Sequence, residues 1–361
     1  MINNNFCVIM TGGVGSRFWP LSRTEKPKQF LDVLGTGKTL LRQTFERFDS
    51  ICPASNVYVV TSKEYKDLVA EQLPELGSHQ ILLEPCRRNT APCIAYANYK
   101  IKEQNENANI IVAPSDHLIL KEEEFVRVIN EGLQFTRNNQ ALLTLGIKPG
   151  RPETGYGYIQ IIENSFDHPE IEKVKTFTEK PDLEMAKVFV DSGEFFWNSG
   201  IFIWNLQTIS ESFQKNLSDV DDLFNKGKGI FGTPKEEEFI EKTYAECRNI
   251  SIDYGVMEKA DNVYVMCADF GWSDLGTWGS LFEHSTKDEN NNALVGERII
   301  SLDSTNCIVN VSDNKRVVMQ GLDNYIVVES DDNILIIKKE EEQRIREIVD
   351  MVKDNFGEKY I

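Results

Sequence analysis

A chain of 361 residues with 41% hydrophobic and 27% charged residues has an ordinary globular composition, long enough for one large α/β domain and a smaller appendage, and fits neither wholesale disorder nor a fibrous repeat. Acidic residues outnumber basic ones 57 to 39, for a formal charge of -18, which repels nucleic-acid backbones and anionic membranes over most of the surface and leaves basic patches only a local role. Seven cysteines at irregular spacing with no CxxC pair, and only four histidines, point to reduced thiols and against a zinc site; with no leader or membrane-length stretch, the expected location is cytoplasmic.

The opening, Met1 to Asn5 followed by Phe6-Cys7-Val8-Ile9-Met10, has no basic n-region and no long apolar run, so it reads as a first core strand and not as a signal peptide. Further β-rich runs follow at Val57-Tyr58-Val59-Val60, Ile81-Leu82-Leu83, Ile110-Ile111-Val112-Ala113 and Leu142-Leu143-Thr144-Leu145, with helices predicted around Leu40 to Phe48 and from about Asn89 to Ile101. This alternation predicts a Rossmann-like, mostly parallel sheet with helices on both faces. Ligands bind beyond the carboxyl ends of such strands. The segments Thr11 to Arg17, Glu84 to Pro92 and Pro114 to His117 each follow one of these runs, so they are expected to meet at one edge.

From about Asn290 the texture changes. Apolar pairs at Ile299-Ile300, Ile308-Val309, Val317-Val318, Ile326-Val327 and Leu335-Ile336 recur at intervals of nine, separated by Asp, Asn, Ser and Gly, a pattern of short strands that suits a small β-roll or solenoid and equally plain hairpins. In the closing stretch Glu341 to Phe356, Ile345, Ile348, Val349, Val352 and Phe356 share one helical face, which predicts a helix capping the β unit. The expected domains are therefore 1–285 and 286–361.

The most informative loop follows the first strand. Gly12, Gly13 and Gly15 permit a sharp turn and a close approach of backbone N–H groups to a phosphate, Ser16 continues it, Arg17 adds a planar permanent charge, and Lys28 a second, mobile one. Two better-known phosphate motifs are excluded: Phe18 stands where the dinucleotide fingerprint needs a third glycine, and Gly35-Thr36-Gly37-Lys38-Thr39 has Asp32 in place of the first glycine of a P-loop. The latter string reads as a turn before the Leu40 helix, capped by Thr39.

Taken whole, Thr11 to Arg23 with Lys26-Pro27-Lys28-Gln29-Phe30-Leu31 resembles the signature of the sugar-1-phosphate nucleotidyltransferases, in their mannose-1-phosphate guanylyltransferase branch. Glu84-Pro85 with Arg88-Asn89-Thr90-Ala91-Pro92, Pro114-Ser115-Asp116-His117, Gly155-Tyr156-Gly157-Tyr158-Ile159, Phe177-Thr178-Glu179-Lys180-Pro181, Trp197-Asn198-Ser199-Gly200 and Trp272 to Trp278 match that family in order. The matches span about residues 8 to 280; Arg87 departs from the motif, which usually has Gly there. The resemblance implies a GT-A-like catalytic domain, a left-handed β-helix-like C-terminal unit, GTP and mannose 1-phosphate as substrates, and Mg²⁺ as cofactor.

In isolation each fragment reads as plain structure: an Asp after a strand as a cap, Arg and Lys as surface pairs, Asn198-Ser199-Gly200 as a turn. Nucleotidyl transfer gives them other roles. It needs cations to offset charge at phosphorus and an aligned sugar phosphate whose oxygen attacks, so no protein nucleophile is sought. The resemblance implies Asp116 and Asp274 as metal ligands, and Arg17, Lys28, Asp116 and Lys180 as catalytic. It also implies Gly12, Gly13, Gly15, Ser16, Arg17, Lys28, Glu84, Pro85, Asn89, Thr90, Ala91 and Asp116 around the nucleotide. For the sugar, Gly157 allows close approach, Glu179 and Asn198 meet hydroxyls, and Lys180 meets the phosphate. Another sugar phosphate or nucleotide, or a catalytically dead regulatory subunit, are the alternatives. No histidine lies beyond His284, so the phosphomannose isomerase domain of bifunctional relatives is not expected. Exposed strand edges and the apolar helix face suggest a homodimer.

Overall fold

The computed structural model describes residues 4–361; Met1 to Asn3, with which the opening stretch and the expected 1–285 domain begin, lie outside them. Up to Ser273 the strands are β1 (Asn5–Thr11), β2 (Val57–Ser62), β3 (Ile81–Glu84), β4 (Asn109–Pro114), β5 (Leu118–Ile119), β6 (Leu142–Ile147), β7 (Gly157–Ile162), β8 (Ile171–Glu179), β9 (Phe195–Asn205), β10 (Val263–Ala268) and β11 (Trp272–Ser273). By compactness the chain forms two units that do not follow the 285/286 division. The first takes the chain up to Gly12 with Thr44–Ser115 and Ile119–Trp272; the second takes Gly13–Gln43, Asp116–Leu118 and Ser273–Ile361.

In the first unit a nine-stranded sheet has the order β3-β2-β1-β4-β9-β6-β10-β8-β7. β1, β2, β3 and β4 are mutually parallel, and β1 is buried almost throughout, as expected of a parallel strand covered on both faces. Thr11, Glu84 and Pro114 therefore end at one edge of this sheet. Beyond β4 the sheet is mixed, because β9 runs antiparallel to both β4 and β6 while β10 returns parallel to β6. The register shifts between Thr144 and Gly146 where β6 meets β9, and Gly200, opposite that irregularity, has φ 69°. Such bulges re-aim side chains, and Asn198 pairs with Gly146 just beyond this one. The helices at Leu40–Arg47 and Thr90–Lys102 stand where apolar spacing predicted them, and the latter buries Ala91, Ile94, Ala97 and Ile101 against Val8, Tyr58 and Val112.

The second unit contains β12 (Ala293–Val295), β13 (Ile299–Leu302), β14 (Ile308–Asn310), β15 (Val317–Gln320), β16 (Tyr325–Ser330) and β17 (Asn333–Lys338). Alternate strands stack in parallel: β12 on β14 on β16, and β13 on β15. Each nine-residue step is thus half a coil, which favours the solenoid over hairpins; only β17 folds back antiparallel, on β16. Cys307, Val309, Met319 and Val327 fill the interior. On the outside, the helix Ile345–Phe356 lays Ile345, Ile348, Val349 and Val352 against Ile308, Ile326, Val328 and Leu335, in a core that also holds Phe18, Trp19, Leu31 and Trp278. Phe356 keeps the expected helical phase but is 71% exposed, lying at the end of the helix, a turn beyond the core, before Gly357 turns the chain at φ 99°.

The Gly35–Thr39 string is a turn. Asp32 accepts the Thr36 and Gly37 N–H groups at 2.9 and 2.6 Å, occupying with its own carboxylate the acceptor position a phosphate would need. Thr39 Oγ1 accepts from Arg42 N at 3.2 Å, the expected cap. Among the described residues no helix is long and apolar enough to cross a membrane.

Candidate active site

The second unit gathers the phosphate-loop residues. Gly15 lies at φ 72°, and a Cβ there would fall 2.7 Å from Lys28 Cβ and 3.3 Å from Ser22 Oγ, so glycine is required twice over, by handedness and by space. Gly13 lies near no such neighbour. Ser16, Arg17 and Phe18 form a single 3₁₀ turn seated by Phe18 on Trp278, with ring centroids 5.0 Å apart. Arg17 Nε is buried without an acceptor among the described residues.

Lys28 is only 3% exposed. Its ammonium donates to the Asp274 and Leu275 carbonyl oxygens at 2.8 and 3.2 Å and meets Asp116 Oδ2 at 2.8 Å. An ammonium has three protons, and all three find oxygens. The mobile charge expected from sequence is therefore a fixed one, held by burial and by its acceptors. Burial alone would raise the Asp116 carboxyl, but the Lys28 ammonium, His117 and the residue's own N–H outweigh it and hold the group below the usual carboxylate range. Asp274 in turn accepts from Gly276 N at 2.8 Å.

Asp116 offers one carboxylate suited to a hard cation, ionised and partly accessible, and the backbone carbonyl of Asp274 meets the same Lys28 ammonium. No cluster of three or more His, Cys, Asp or Glu occurs among the described residues, but an ion that takes one or two carboxylates and fills its remaining positions with phosphate oxygens and water needs none.

The first unit holds the remaining predicted residues in two groups. Glu84 ends β3, followed by Pro85; it is buried, accepts from the Tyr244 hydroxyl at 3.0 Å, and lies 4.0 Å from where a Cβ on Gly12 would stand. Burial pushes its carboxyl up to about 7, against the lowering effect of Tyr244 and Arg87, so near neutrality it serves as donor or acceptor. Asn89 is exposed at φ 68°, ψ -173°, and caps the helix that follows by accepting from Thr90 N at 2.9 Å. That backbone region is sparsely populated by residues other than glycine. Thr90 Oγ1 accepts from Ile252 N at 2.9 Å and Ala91 N donates to Ile250 O at 3.1 Å on one side of the strained residue, and Ile250 N donates to Arg88 O at 3.2 Å on the other. Arg88 Nε is tied to the Tyr244 carbonyl at 3.0 Å.

The other group joins Gly157, Glu179, Lys180 and Asn198. Gly157 pairs with Glu179 across β7 and β8, and a Cβ on Gly157 would run into the Glu179 carboxylate. Lys180, at φ 49°, places its ammonium 2.7 Å from Glu179 Oε1. Asn198 accepts from Thr144 Oγ1 at 3.0 Å and donates to Asp253 Oδ1 at 2.9 Å. Asp253 belongs to this group although sequence reasoning passed over it. Burial and then the Glu179 carboxylate push it up to about 6, against its own backbone, Asn198 and Lys180. The available signal was an acid enclosed by apolar residues, Ile252 before it and Val256-Met257 after it. Tyr244, which holds Glu84, lacked even that.

The nucleotidyl transferase family model matches residues 6–291, and a MannoseP isomerase/GMP-like β-helix domain matches 297–352. A Klebsiella pneumoniae mannose-1-phosphate guanylyltransferase is 36% identical over 98% of this chain and 75% of its own length. An alginate biosynthesis protein of Pseudomonas putida is 36% identical over 95% of this chain and 70% of its own. A solved Thermus thermophilus protein, described as a mannose-1-phosphate geranyltransferase, superposes with a TM-score of 0.86 at 31% identity, covering 97% of this chain and 99% of that one. With a glycine turn, an ionised aspartate and a fixed lysine in one unit, and a family match across most of its length, this chain belongs to the nucleotidyl transferase family.

Proposed function

We propose that the chain transfers GMP from GTP to α-D-mannose 1-phosphate, giving GDP-mannose and pyrophosphate. The observation that carries the substrate pair is the 36% identity to a mannose-1-phosphate guanylyltransferase over 98% of this chain. A phosphate oxygen of the sugar phosphate attacks the α-phosphorus as the bond to the bridging oxygen breaks and pyrophosphate departs. Arg17 offers its guanidinium to the triphosphate oxygens, and its unpartnered Nε supports that role. Lys28 acts through its fixed contacts, keeping Asp116 ionised and the Asp274 backbone in place.

The family uses a divalent metal; the ion proposed here is Mg²⁺, which Asp116 and Asp274 would hold and which when bound neutralises triphosphate charge. Gly12, Gly13, Gly15 and Ser16 line the phosphates, and Glu84, Pro85, Asn89, Thr90 and Ala91 form the base loop. Glu179, Asn198 and the backbone at Gly157 receive sugar hydroxyls, with Lys180 for the sugar phosphate. The 1–285 segment is the proposed catalytic domain, the 286–361 segment its β-helix companion, and the working form a homodimer.

The test is pyrophosphate release by the purified chain with GTP and mannose 1-phosphate, compared with UTP, ATP, dTTP and glucose 1-phosphate. Preference for any other pair overturns the substrate assignment, and no turnover with any pair favours a regulatory subunit. Asp116→Ala and Arg17→Ala should each lower turnover by roughly a hundredfold or more, the scale of losing one electrostatic stabiliser, while circular dichroism reports a folded protein. Near-normal rates in either variant remove that residue from the mechanism.

A further inference from the structure

The turn Ser16–Phe18 packs against the terminal helix Ile345–Phe356, and Phe18 and Ile345 share one core. The residue next to Ile345 is Arg346, exposed on the helix. Arg344, two positions earlier, is paired with Glu341 and Glu347 at 3.1 Å each, so those two carboxylates are engaged by a different guanidinium. Neither Arg17 nor Arg346 has an ion-pair partner among the described residues, in a chain with 57 acidic residues to 39 basic ones. Arg17 and Arg346 therefore lie on packed elements with no protein carboxylate among the described residues pairing either of them. Arg17 is also the leading electrostatic neighbour of Arg346, and its charge holds that guanidinium below its ordinary value. Two like charges side by side are unfavourable in the free protein and become favourable when an anion lies between them.

We propose that Arg346 of the terminal helix completes the phosphate grip begun by Arg17, the two guanidiniums holding the oxygens of the departing pyrophosphoryl group. This rests on the reading of Arg17 as a triphosphate-holding cation. The chemistry recognised is a polyphosphate anion, presented either as the β,γ half of the bound nucleotide or as free pyrophosphate after transfer. The C-terminal unit then takes a direct part in the reaction: its closing helix supplies a ligand-binding side chain, and the packing of Phe18 with Ile345 sets that side chain in register with the glycine turn.

The experiment titrates inorganic pyrophosphate, at fixed Mg²⁺, into the full-length wild type and into Arg17→Ala, Arg346→Ala and Arg346→Lys by calorimetry. Each ligand-free protein is melted in phosphate-free buffer, and GTP and mannose 1-phosphate are varied separately in the forward assay. Arg346→Ala should weaken pyrophosphate binding about tenfold or more, the scale of one charge-assisted contact, and raise KM for GTP. KM for mannose 1-phosphate should be unchanged and the ligand-free melting temperature undiminished, because a repulsion has been removed. Arg346→Lys, which keeps the charge and loses the planar fork, should recover part of the loss. If Arg346→Ala binds pyrophosphate like the wild type while Arg17→Ala does not, the inference fails and the reading of Arg17 stands. If neither variant loses binding, both fail. A lowered melting temperature with unaltered pyrophosphate affinity assigns Arg346 to structure alone and also overturns the proposal.

Discussion

Gly15 shows how much of the candidate site depends on a missing side chain. With φ at 72° and a would-be Cβ 2.7 Å from Lys28 Cβ, Gly15→Ala both strains the backbone and drives Lys28 away from Asp116. The backbone part costs about 1 kcal/mol, a small fraction of the stability of a folded domain. Activity should suffer far more, because all three ammonium contacts of Lys28 are displaced together. A steady-state kcat reduced by at least about tenfold, with a lowered thermal midpoint as the buried Lys28 loses its contacts, is the expected pattern; kcat at the wild-type level would separate the lysine from the reaction. Glu84 makes a second case at the same scale. Its folded-state value of about 7 lies above the 4.5 of the free group, so its contribution to stability is complete below the lower value and is lost as pH rises through the upper one. Glu84→Gln removes this dependence. The stability difference between wild type and variant, measured by urea unfolding, should therefore move in the variant's favour by roughly 2 kcal/mol between pH 5 and pH 8.5. A difference that stays constant across that range would show that Glu84 is already ionised at neutral pH.

At the scale of elements, what was legible in the sequence was whatever has a period or a cap. The strands β1 to β4 announced themselves as apolar runs because both faces are buried, and Thr39 identified the start of the helix after it as a cap. The nine-residue spacing near the C-terminus was visible too, but hairpin and solenoid share it; only the pairing of Ile299 with Val317 and of Ile308 with Ile326 separates them, and pairing is non-local. The antiparallel course of β9 in mid-sheet was hidden for the same reason, since direction leaves no mark on composition. Site residues were legible where resemblance marked a whole segment, as at Gly12 to Lys28. Asp253 and Tyr244 were not, because each acts through one partner distant in sequence, Asn198 and Glu84. The character of Lys28 was misjudged: burial is set by the chain that folds over a residue, and no local pattern reported that Asp274 and Leu275 would close around it. Phe356 erred the other way, its helical phase correct and its position one turn past the end of the core.

At the scale of the whole molecule, self-association has to overcome charge. Each copy carries a formal -18, so two copies repel, most strongly at low ionic strength, where screening is weakest and the field reaches furthest. What opposes this in the proposed dimer is an apolar strand face. Ile300 and Val318 are cross-strand neighbours on β13 and β15, 55% and 66% exposed, and Leu302 beside them is 48% exposed. Three aliphatic side chains turned outward on a two-stranded sheet are unusual for a soluble surface unless something covers them, and a second copy offers the same face in return, as two-fold symmetry requires. Ile300→Glu with Val318→Glu should convert a dimer into a monomer in light scattering, without altering the fold, because neither side chain enters the interior. Raising salt from about 20 to about 200 mM should tighten the wild-type dimer by shortening the screening length, the opposite of what a salt-bridged interface would do. A wild-type monomer at tens of micromolar, a double variant that still dimerises, or a dimer that dissociates as salt rises would each show that this face is not where copies meet.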